Sequence, residues 1–267
     1  MNFERLRLII DYSKNHRKET DYKVKNFCSF SGVGFETDLL SIMQIVRPSL
    51  RKRGYIVIEI PIADDEIGAL SYKGDGLGYV LINSSLPKVN VNFAIAHEIF
   101  HVFFQEDNFV SKVEFSDDHY YEHEEEFAAN LFAGMLLMPE ISFRMMYSKF
   151  KDESEGIIED IIVRLMSYYQ VPFMAALIRC LELELLGGND ISETILNIDR
   201  KKIKQKLNEL WLDESILDSS KKDDYIHLKM FVSQLGEEYV KEEYINKGTL
   251  KNVLNNMEDL YLQIKGE

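Results

Sequence analysis

The chain is short of cysteine, with only Cys28 and Cys180 among 267 residues. That excludes a disulfide framework, and both thiols read as small core residues suited to a reducing compartment. Long apolar runs are also missing, and none approaches the roughly 20 residues that a membrane-spanning helix needs. The opening Met1-Asn2-Phe3-Glu4-Arg5 lacks a signal-peptide pattern. The expectation is a soluble, cytoplasmic chain with no membrane partner. Positive charge is the third deficit: 31 basic against 45 acidic residues leave a net charge of −14. Phosphate contacts need clustered lysine and arginine, so direct nucleic-acid binding is not expected.

The acid is not spread evenly. Between Gln105 and Asp160 there are fifteen acidic and four basic side chains, a net of −11. A solvated, solubilising surface is the plain account. The sharper one is an acidic rim that attracts a basic protein. Apolar residues make up 46% of the chain, ample for a packed core, and the length suits one large domain or a core with an appendage.

His97-Glu98-Ile99-Phe100-His101 is the most informative stretch. Positions four apart share a helix face, so both imidazoles can reach one metal ion. Glu98 can turn toward the open coordination position and act as base to a water there. Asn92 is a plausible N-cap, and neither proline nor glycine interrupts the run to Gln105. The plain alternative is a buried helix whose histidines are hydrogen-bonded in the core.

Such a site needs a third protein ligand. Glycine three residues and histidine six residues beyond His101 would supply it in the metzincin pattern, but Phe104 and Asp107 stand there. A glutamate from a second helix is the other source, and Glu122, Glu124, Glu125 and Glu126 precede an apolar stretch ending at Met138. From Glu126 the helix face continues through Ala129, Asn130, Ala133 and Gly134, small enough for two helices to approach closely. Glu126 is therefore the chosen ligand and Asn130 the group placed to hydrogen-bond a ligand histidine. The other three glutamates read as a wet helix start.

These residues carry a resemblance. HEIFH followed by Glu126-Phe-Ala-Ala-Asn130-Leu-Phe-Ala-Gly-Met-Leu-Leu-Met-Pro139 resembles the ImmA/IrrE family of zinc metallopeptidases, over about residues 35–187. The family form is HExxH, then E-x-x-A-N-x-F-A-x-x-L-L-M-P. The chain departs where Ile99-Phe100 stand for leucine and glycine, and where Pro172 stands for a serine. The resemblance implies an α+β, zincin-like fold with a small antiparallel or mixed sheet, an HExxH helix and a mainly helical C-terminal region. It implies one Zn2+ per chain on His97, His101 and Glu126, with Glu98 catalytic. It also implies cleavage of a basic, DNA-binding helix-turn-helix repressor, controlling transcription in a stress, phage or mobile-element response. The competing expectation is a metal-stabilised sensor that sequesters a repressor or partner without cutting it.

Elsewhere, the pattern predicts helices over 3–14 and 38–53, a strand over 55–60, and a hairpin of 67–72 with 79–83. Glycines 68, 74, 76 and 78 read as turn chemistry, since no Gly-Lys-Ser/Thr helix follows. The segment from about 106 to 121 is expected to be irregular; His119, Tyr120, Tyr121 and His123 in or beside it are candidate oxyanion donors. Strand 79–83, through Tyr79 and Leu81, is a candidate for pairing with an extended substrate. Helices follow at about 156–169 and 172–186. With Arg164 and Arg179 as their only basic residues, packing is the reading there rather than DNA binding. Gly187-Gly188-Asn189 suggests a boundary, with a metallopeptidase domain over 1–188 and a helical recognition or regulatory region over 189–267. Helices are predicted there near 199–212, 223–243 and 248–264, with Trp211, Tyr225, Phe231, Tyr239, Tyr244 and Tyr261 packing a core.

Overall fold

The computed structural model describes residues 1–74, 77–105, 110–114 and 124–266. In chain order these form α1 (Phe3–Ser31), α2 (Ile42–Lys52), β1 (Tyr55–Ile60), β2 (Ile67–Gly74), β3 (Leu77–Asn83), α3 (Lys88–Phe104), β4 (Val110–Glu114) and α4 (Glu124–Leu137). There follow α5 (Glu140–Glu153), α6 (Ile158–Tyr169), α7 (Phe173–Glu182), α8 (Glu193–Leu196), α9 (Arg200–Glu209), α10 (Tyr225–Lys241) and α11 (Lys247–Lys265). The class is α+β, mostly helical.

α1 runs well past the predicted 3–14. Its charged middle is held by pairs one turn apart, Lys23 to Glu19 at 2.8 Å and Lys25 to Asp21 at 2.6 Å. Thr20, Val24, Phe27 and Cys28 are buried on one face. Asn2 caps the start through the Arg5 N–H, and Gly32 ends the helix at φ 74°. α2 starts at Ile42 rather than Asp38 and carries Pro48 inside it.

The sheet has four strands in the order β1-β3-β2-β4. β1 pairs with β3 in parallel, Ile58 opposite Leu81; β2 pairs antiparallel with both β3 and β4. Gly78 faces Tyr55, whose ring would lie 2.8 Å from any Cβ there, so a side chain at 78 would push the strands apart. This topology overturns the expectation for Tyr79 and Leu81. β3 is an inner strand whose backbone already bonds on both sides, so no extended peptide can add to it.

One sheet face carries Tyr55, Val80 and Ile82 into the main core, and Ala69 meets Ala94 of α3. Alanine on both sides brings the helix close to the strands. The other face, Ile58, Ile60 and Leu81, is covered by Tyr225 and Leu228 of α10 and Tyr261 and Ile264 of α11. Main-core burial continues beyond α7: Ile191, Ile195, Leu196, Ile203, Leu207, Ile216 and Leu217 belong to it. α10 and α11 form a hairpin apart from that core. Of the aromatics expected to pack here, Tyr225 is buried and stacks on Tyr261 at 3.8 Å, whereas Trp211 is 96% exposed, and Phe231, Tyr239 and Tyr244 are also exposed. No single helix among the described residues is long and apolar enough to cross a membrane.

Candidate metal centre

α3 is buried nearly all round from Ala94 to Val102. It begins earlier than predicted, because Pro87 stands at the N-cap and the helix continues directly from it. Asn92 therefore lies inside the helix, not at its cap, and its Nδ2 donates to the Gln170 carbonyl at 3.1 Å. α4 packs against α3 through fully buried Ala129 and Ala133, with Phe132 among Phe27, Phe100 and Phe104 at ring distances of 5.6–6.3 Å. This contact sets the separation between the histidines and the glutamate.

The structure brings His97, His101 and Glu126 together. One ligand atom from each lies within 4.8 Å of the others. The Nε2 atoms of the two imidazoles are 2.9 Å apart, and Glu126 places Oε2 3.0 Å from His97 Nε2 and Oε1 3.6 Å from His101 Nε2. Tetrahedral ligands about 2.1 Å from a common ion lie about 3.4 Å from one another, and these separations straddle that value. His97 Nδ1 lies 3.0 Å from Asn130 Oδ1. An amide oxygen only accepts, so Nδ1 carries the hydrogen and Nε2 turns its lone pair inward. Two imidazoles and a carboxylate form a borderline-soft donor set that suits a divalent transition metal. The residues fit the group.

His97, Glu98 and His101 are all effectively buried. Burial disfavours a proton on either ring. At His101 it prevails, reinforced by His97, and the pKa falls to about 4. At His97 the hydrogen bond and charge of Glu126, with Glu98 and Asn130 adding, outweigh burial and raise the pKa. The two rings are thus pushed in opposite directions, His97 up by the neighbouring carboxylates and His101 down by burial.

Gln105 is a residue the sequence reading passed over. It follows His101 by one turn and donates to Glu125 at 2.5 Å, tying the end of α3 to the start of α4. Its signal was its position on the His97–His101 face. His119, Tyr120, Tyr121 and His123 lie outside the described residues.

A buried helix with two histidines one turn apart, crossed by a second helix bearing a carboxylate, is a metallohydrolase-type centre. Residues 51–181 match the Peptidase_M78 family model, described as the IrrE N-terminal-like domain. That stretch, which runs from the end of α2 into the last turn of α7 and makes up just under half of the chain, is an IrrE N-terminal-like domain of the metallopeptidase type. No curated protein matches it.

Proposed function

We propose that the chain is a cytoplasmic zinc endopeptidase that cleaves a basic, DNA-binding repressor and so switches a stress, phage or mobile-element programme. The observation that carries this is the meeting of two imidazoles and the Glu126 carboxylate beside a fully buried second carboxylate, Glu98. A purely structural metal site has no use for such a base.

His97, His101 and Glu126 would hold the ion, which when bound supplies Lewis acidity to the scissile carbonyl and to the attacking water. Asn130 fixes the His97 ring and its tautomer. Glu98 takes the proton of the attacking water on its carboxylate and returns it to the nitrogen of the departing peptide. Burial of α3 keeps bulk water from competing for that proton. The excess of acid between Gln105 and Asp160 supports a basic substrate. At the sheet, β1 accepts from Asp224 at Glu59, whereas the outer edge of β4 pairs with nothing among the described residues. An extended substrate would lie along β4.

The test is incubation of the metal-loaded chain with candidate repressors, followed by mass spectrometry of fragments. Discrete cleavage by wild type and none by Glu98→Gln is the expected outcome. Tight repressor binding without fragments would instead make this a sequestering protein.

A further inference from the structure

A cavity of about 430 Å3 lies at the other end of α4 from Glu126. It is about 14 Å along the helix at 1.5 Å per residue. Its walls are one face of α1, the loop through residues 34–39, the Met135–Leu136 end of α4 with Pro139, and Arg179 from α7. The volume falls in the range of pockets that hold small organic ligands, roughly 300–1,000 Å3.

Arg179 marks this cavity as more than a packing gap. Its side chain is 2% exposed, yet it lines the opening. Nε donates to the Met138 carbonyl at 3.1 Å and Nη1 to Glu182 at 3.0 Å. Nη2 makes no hydrogen bond among the described residues. These two contacts use two of the five N–H donors of the guanidinium, and Nη2, which is not a fully buried atom, keeps its N–H groups open to an acceptor that enters the cavity. Lys18, also on the wall, makes no ion pair among the described residues.

Charge indicates the acceptor. The charged wall residues and their ion-pair partners are Arg17, Lys18, Lys25, Arg144 and Arg179 against Asp21, Glu36, Glu140 and Glu182. Five cations against four anions leave a surplus of one, in a chain whose total is −14. That suits a monoanion better than a doubly charged phosphate. The rest of the wall is apolar, through Val24, Leu39 and Leu136. The loop over it is pinned by Glu36, which sits at φ 64° while its Oε2 accepts from the Ile141 N–H at 3.2 Å.

We propose that this cavity binds a small monocarboxylate with a short apolar body. The carboxylate meets Arg179 Nη2 and Lys18, and the body packs against Val24, Leu39 and Leu136. The proposal stands whether or not the chain cleaves a peptide, because binding is read directly.

The experiment is calorimetric titration and thermal denaturation of the full chain with straight-chain carboxylates from butanoate to decanoate, alongside the matching primary alcohols. One-to-one saturable binding that raises Tm is expected, at least tenfold tighter for each acid than for its alcohol. Cys28→Met, which enlarges a wall side chain without touching the Arg179–Glu182 pair, weakens binding at least tenfold. Lys18→Glu, at an exposed position, weakens it severalfold with no risk to the core. Absence of saturable binding across the series overturns the proposal. So do alcohols that bind as tightly as acids, or affinity unchanged in both variants.

Discussion

Replacing Asn130 with alanine isolates what orientation of one imidazole contributes to the metal centre. Asn130 Oδ1 is 3.0 Å from His97 Nδ1, and His97 is 0% exposed. The variant strands a buried N–H, at a cost of about 1–3 kcal/mol. Loss of such an outer partner lowers metal affinity about 10–100-fold, or about 1.4–2.8 kcal/mol, so the two routes agree. Asn130 itself is only half-buried, so water can replace its oxygen and the loss should fall near the tenfold end. Asn130→Asp keeps an acceptor and adds charge, and should bind at least as tightly as wild type. Competition for Zn2+ and Co2+ against a chromophoric chelator measures both, with circular dichroism confirming the fold. An Asn130→Ala affinity within twofold of wild type would refute the argument that this hydrogen bond orients His97.

Three further outcomes follow from the structure. Glu98→Gln should keep Zn2+ affinity within a few fold and lower cleavage about 10²–10⁴-fold, measured on any repressor that wild type cuts. Asp224 ties α10 to β1 by accepting the Glu59 N–H at 3.0 Å beside Lys222 and Arg47; these contacts overcome burial and lower its pKa. Its contribution is therefore full above the unfolded carboxylate pKa and fades as pH falls through the lower folded value. Asp224→Asn should thus lower the urea midpoint at pH 7, with the gap to wild type closing in strong acid. Gly236→Ala should loosen the α10–α11 hairpin, because a Cβ there collides with Leu250. The cost is about 1–3 kcal/mol, more than the roughly 1 kcal/mol that alanine gains in helix propensity. Hydrogen exchange should show faster opening of residues 225–265, and unchanged exchange would contradict the packing.

The neighbourhood of the metal centre was legible because its logic is local. His97 and His101 share a face by helical period alone, and the small face from Glu126 through Ala129 and Ala133 announced a close helix contact. The hairpin of β2 and β3 was legible from alternation around a glycine-rich turn. Misreadings came where a neighbour distant in sequence decides. α1 outran its apolar pattern because charge pairs and burial against later helices sustain it. Asn92 has cap chemistry, yet Pro87 starts the helix and Gln170 takes the amide. The C-terminal aromatics have core composition, but α10 and α11 cover the sheet only with their ends.

By itself the sequence determined which side chains share a helix face toward the His97–His101–Glu126 cluster, since a residue's direction on a helix follows from spacing of 3.6 per turn. The tertiary structure decided which strands lie inside the sheet and which at its edges, because the parallel pairing of β1 with β3 depends on packing across the chain. It alone decided the Arg179 cavity as well. Three stretches far apart in sequence, residues 17–39, residues 135–140 and Arg179, build that wall, and no local periodicity records how distant surfaces meet.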